Sequence, residues 1–178
     1  MTTPVTNIDD PDSVPSGRIA LFDLGFRPFF LLAGIAALLL VPLWIHAYLH
    51  GTPVLAYYPA MAAWHGHEML FGYTVAVIAG FLLTAVRNWT GVQTAGGAAL
   101  AGLAVLWLAG RVLPFFSGVV PHWLIAVVDL AFLPVLGASL AVPLIRKRQK
   151  HNLVFLLLLA GLTLANLLVH LQLLGITR

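Results

Sequence analysis

The sequence contains no cysteine. Disulfides, thiolate metal sites, iron–sulfur clusters and covalently attached c-type haem are thereby excluded. Charge is scarce as well: 8% of residues are Asp, Glu, Lys or Arg, where a soluble domain carries about a quarter. Strand-like alternation is missing after residue 20. So are an HExxH motif, a phosphate loop, a serine nucleophile elbow and a pair of catalytic carboxylates, so spacing alone identifies no enzyme. Nine Lys and Arg against six Asp and Glu leave a net charge of +3, too small and scattered for a nucleic-acid surface. Apolar residues are abundant, at 61% of the chain with a mean hydropathy of +0.98. A chain with so few charges cannot cover a water-facing surface, and it reads as an integral membrane protein in a lipid bilayer.

Residues 1–17, MTTPVTNIDDPDSVPSG, are polar, acidic and rich in Pro and Ser, and lack the n-region and h-region of a secretory signal. They read as a disordered tail ending near residue 20. From residue 21 to 178 the expectation is one all-α membrane domain, a bundle of five transmembrane helices. Each crossing needs roughly 20 apolar residues. The candidate spans are about 28–49, 65–87, 95–115, 121–145 and 152–175.

Positive charge sets the expected orientation. The run 146-RKRQK-150 belongs on the cytoplasmic side, which places Arg18, Arg27 and Arg87 there too, against Arg111 and Arg178 outside. The N-terminus is then cytoplasmic and the C-terminus periplasmic.

This topology puts six of the seven histidines at the outer face. His46 and His50 end the first span, His65 and His67 open the second, His122 opens the fourth, and His170 lies late in the fifth. His151 stays beside the basic run. Glu68 follows His65 by three residues and shares its helix face, and Asp129 lies about 10–12 Å into its span. Neutral imidazole ligates metals and haem iron, and carboxylates ligate hard metals or orient an imidazole.

His65 and His67 are about 200° apart on a regular helix, so they point to different sides unless Gly66 opens the first turn. His46 and His50 share a face, as do Asn166 and His170. Against a functional reading, histidines at helix ends also simply sit among headgroups, which suits His46, His50 and His122. An ionisable group inside a span is a functional candidate, which favours His67, Glu68 and His170. Asp129 either belongs to such a site or pairs with Arg111.

The stretches 21-LFDLGFRPFF-30, 64-WHGHEMLFGYTVAVIAGFLLTAVRNWTG-91, 146-RKRQ-149 and 166-NLLVH-170 resemble the N-terminal part of the NnrS family. Those are bacterial inner-membrane proteins that bind haem and copper and are linked to nitric oxide and nitrosative stress. The resemblance implies a haem or copper site built from His65, His67, Glu68 and His170, with nitric oxide as a diatomic ligand. Family members run longer, with further histidine-bearing spans. Three readings of this length stay open: a short paralogue, a half that assembles with a second membrane chain or as a homo-oligomer, or a truncated product. Two other readings of function stand beside the haem or copper site: a transport or channel component for protons or metal ions, and a structural partner whose histidines are incidental.

Overall fold

The computed structural model describes residues 20–51 and 55–177. Most of the expected disordered tail, with Arg18, lies outside the described residues, as does Arg178. Among the described residues the structure is all helical, and five helices are long and apolar enough to cross a membrane.

A short turn at Ala20–Phe22 leads into α1 (Phe26–His50). The second span is composite. α2 (Met61–His67) passes through a π-helical stretch (Glu68–Thr74) into α3 (Val75–Thr90), 30 residues in all. α4 (Gly97–Val112) ends in a tight turn at Leu113–Phe116. α5 (His122–Arg146) and α6 (Val154–Leu173) complete the bundle, joined by a 3₁₀ turn at Lys150–Leu153.

Every span is a near-continuous apolar run, because in hydrocarbon only intrahelical bonds can satisfy the backbone. Prolines are tolerated inside such helices, and Pro42 sits in α1 and Pro134 and Pro143 in α5.

α3 packs against α1 and α5, while α5 also packs against α4 and α6. The second span is the most buried, with more than half of its apolar window inside. α1 and α6 keep most of their surface outward, showing side chains such as Leu38, Leu39, Leu157 and Leu158. Leucine on the outside is costly in water and suited to lipid.

The main core is apolar, built around Phe29, Leu83, Leu100, Leu136, Leu140 and Leu144. A smaller cluster of Leu55, Tyr57, Tyr58, Trp64 and Ile125 roofs the end of the bundle where α1 finishes and α5 begins. Buried charge gathers beneath that roof.

Candidate metal centre under the aromatic roof

Four helical segments each contribute polar side chains to one buried cluster. The second span supplies His67 and Glu68, at the junction of α2 and the π-helical stretch. α4 supplies Arg111, α5 supplies Asp129, and α6 supplies Asn166 and His170 one turn apart. All six are buried, with His170, Glu68 and Asn166 only 1% exposed.

Asp129 is the hub. Its Oδ1 accepts from Arg111 Nη2, and its Oδ2 accepts from Asn166 Nδ2 at 2.8 Å. His170 Nε2 lies 2.8 Å from the same Oδ2, and His67 Nε2 lies 3.4 Å from it. Arg111 Nε stands 3.0 Å from Glu68 Oε2, so one guanidinium bridges both carboxylates. Its Nη1 donates to the Phe71 carbonyl at 2.8 Å, and Trp107 Nε1 donates to the Gly72 carbonyl at 3.2 Å. Both acceptors lie in the π-helical stretch, a geometry that recurs at functional sites.

Two missing side chains make room for the charges. A Cβ at Gly110 would stand 2.7 Å from Asp129 Oδ1 and 3.3 Å from its Cα. A Cβ at Gly72 would stand 2.7 Å from Glu68 Oε2. At Gly72 the close atom is the far end of the Glu68 side chain, which can shift, whereas at Gly110 the Asp129 backbone is also in the way. Only glycine lets α4 approach α5 closely enough to pair Arg111 with Asp129.

Hydrogen bonding orients the rings. Asn166 donates through Nδ2, so its Oδ1, 3.0 Å from His67 Nε2, is an acceptor and draws a proton onto that nitrogen. Ionised Asp129 does the same for His170 Nε2. The other nitrogens face the roof, with Tyr57 Oη 2.7 Å from His170 Nδ1 and Tyr58 Oη 3.1 Å from His67 Nδ1. His67 Nδ1 also lies 3.4 Å from Glu68 Oε1. Burial, then the nearby Asp129, raises the Tyr57 phenol above its ordinary range. Burial, then Glu68, does so for Tyr58. Both phenols therefore keep their protons. Tyr57 and Tyr58 also line a pocket of about 350 Å³ with His122, Val169 and Gln172, so they stand between that pocket and the imidazoles.

Among the residues expected from the sequence, His67, Glu68 and His170 come together. His65 does not join them: its ring stacks on Trp44 of α1 with centroids 4.1 Å apart. The α2 turn is regular, so neighbouring odd positions diverge as a 200° offset requires. Asp129 takes both of its alternatives at once, pairing with Arg111 and contacting the imidazoles. Arg111, Tyr57 and Tyr58 had not been singled out for the site. An arginine in the last turn of an apolar span, with an acid in the next span, was the available signal for Arg111. The tyrosines carried none.

His67, Asp129 and His170 each offer one ligand atom, and the three atoms lie within 4.8 Å of one another. Two imidazoles and a carboxylate make a donor set for a transition-metal ion. The family model described as NnrS protein matches residues 20–178. No curated protein and no solved structure matches the chain.

Proposed function

The chain belongs to the NnrS family, and from that premise we propose that it is a metal-binding membrane protein that holds one transition-metal ion between His67, Asp129 and His170. Membership suggests a membrane protein of the nitric oxide response. The proposed membrane is the bacterial inner membrane, with the cluster toward the periplasm and the 146–150 basic run in the cytoplasm.

The observation that carries this reading is the convergence of three buried donors, whose ligand atoms lie within 4.8 Å of one another, beside a second carboxylate. Glu68 and Asp129 face a single guanidinium, Arg111. The second negative charge is met either by a proton on an imidazole, His67 or His170, or by a bound cation, because an unpaired buried ion is costly by several kcal/mol. A metal cation between the imidazoles takes the place of that proton and keeps both carboxylates ionised.

Copper or iron suits such a donor set and would supply an open coordination position for a diatomic ligand such as nitric oxide. Both imidazoles would ligate through Nε2, which moves the ring proton to Nδ1. Tyrosine hydroxyls can then accept where they previously donated, so Tyr57 and Tyr58 serve either tautomer. Glu68, 3.4 Å from His67 Nδ1, favours the metal-bearing tautomer further.

Haem does not fit at this cluster. Both nitrogens of each imidazole already lie within 3.4 Å of a protein partner, and the rings pack edge to face with centroids 5.4 Å apart. A macrocycle needs an open slot along one nitrogen. The proposal at this site is therefore for an ion, with copper the form that the family resemblance favours.

A proton or metal channel needs ionisable groups through the full depth of the membrane. Among the described residues the buried ionisable groups lie at one end, and the main core beyond them is apolar. That weighs against a through-path.

The test is metal analysis with absorption and EPR spectra of protein purified in detergent through a histidine-free tag. The expected result is about one copper or iron per chain, lost in His170→Ala while helicity persists, and a spectral change on adding nitric oxide. Wild-type protein that takes up no metal, or that binds it equally in His170→Ala and His67→Ala, overturns the reading.

A further inference from the structure

The buried centre leaves a second set of imidazoles unused. His46 and His50 lie in the last turns of α1, both exposed, with ring centroids 4.3 Å apart and planes 28° from parallel. Their spacing of four residues places them one above the other on a helix. His50 Nδ1 lies 2.8 Å from the His46 carbonyl oxygen. A carbonyl can only accept, so Nδ1 carries a proton, and the lone pair available for a metal is the one on Nε2. This is the orientation that a carbonyl imposes on metal-ligating histidines elsewhere.

Helical side chains lean toward the N-terminus, which lays the His50 ring over the preceding turn. On the buried metal site these residues have no bearing. Trp44, which stacks on His65, and Tyr48, which packs on Trp44, are offset by two positions and belong to the opposite side of α1.

We propose that His46 and His50 form a second, surface metal site: a two-imidazole chelate for a late first-row divalent cation, with copper(II) held most tightly by the Irving–Williams order. The remaining coordination positions are left to water, so exchange is rapid and affinity is below that of a three-donor buried site. Two exposed, stacked imidazoles at a helix end fit a capture role at the membrane surface. The histidine-rich face thus carries one closed site and one open one.

The experiment is copper(II) titration of the purified full chain, followed by EPR, with four proteins compared. Wild type is expected to bind about one more weakly held copper(II) than His46→Ala/His50→Ala, with nitrogen hyperfine structure on that signal. The swap Tyr48→His/His50→Tyr keeps the composition but moves one ring about 200° around the helix, and is expected to lose the same equivalent. In His170→Ala the weak equivalent persists whatever happens at the buried centre, so the two sites fail independently. Equal binding by wild type, the double alanine variant and the swap overturns the proposal. So does a weak signal that disappears with His170 and is untouched by His46 and His50.

Discussion

The two ends of the bundle handle charge in opposite ways. At the end formed by Thr90, Gly97, Arg146 and Lys150, the basic groups of the 146–150 run are exposed, and the buried polar side chains are two threonines bonded to backbone carbonyls. At the other end Arg111, Glu68 and Asp129 are buried and matched to one another across helices. Exposed charge costs little to hold and reports orientation. Buried charge is destabilising unless every partner is in place. Its partners form a set that must be kept or lost together.

Removing an arginine from each end is the harshest way to break that contrast. Arg111→Met leaves two carboxylates buried without a counter-ion, and a broken buried pair costs about 3–5 kcal/mol. The expected outcome is a sharp drop in monodisperse yield and in thermal midpoint in detergent. Arg146→Met, at an exposed position, is expected to stay within about 0.5 kcal/mol of wild type. Comparable losses in the two variants would mean that Arg111 is no more embedded than a surface group.

A smaller effect tests the glycine that admits the charges. Gly110→Ala forces a methyl against Asp129, at 2.7 Å from Oδ1 and 3.3 Å from Cα, and overpacking of this kind costs about 1–3 kcal/mol. Gly102 lies on the same helix with nothing within 4 Å of its would-be Cβ. Gly102→Ala is expected to be neutral or stabilising by about 0.5–1 kcal/mol, because alanine is the better helix former. Equal thermal midpoints for the two alanines would deny the close approach of α4 and α5.

Much of this was legible in the sequence and some was not. The five helices long enough to span follow from apolar runs, since length and hydropathy are properties of one segment at a time. His67, Glu68 and His170 stood out because an imidazole or carboxylate inside such a run is conspicuous by itself. Asn166 was visible one turn below His170. Arg111 was different: in the last turn of a span, it looks the same in sequence whether it faces headgroups or turns inward. Its direction depends on the glycines at 72 and 110 and on where α4 meets α5, which is tertiary information. Tyr57 and Tyr58 sit in a connector, where tyrosine is ordinary, and their importance comes from contacts 9 and 113 residues away in the chain. Helical phase offers the split between His65 and His67 as one of two alternatives, the resemblance implies both at the site, and the stacking on Trp44 takes His65 away from it.

The finest comparison deletes one hydroxyl at each end. Tyr57→Phe removes the group 2.7 Å from His170 Nδ1 and leaves that nitrogen facing an apolar edge, a loss of about 1 kcal/mol. If the buried centre binds metal, the same change releases the ring it ligates through, and weakens metal affinity by about 10–100-fold. Thr90→Val is nearly isosteric and loses the bond from Oγ1 to the Val86 carbonyl and the one accepted from the Val92 amide. That carbonyl retains its place in the helix, and the amide lies in the connector beyond the last turn of α3, within reach of water. The expected cost is about 0.5 kcal/mol, with no change in bound metal. Thermal unfolding and metal content of both variants, measured side by side, decide the matter. A Thr90→Val chain as impaired as Tyr57→Phe in both readouts would mean that the ends are equally tolerant of a lost hydroxyl. The aromatic roof would then be packing rather than support for the imidazoles.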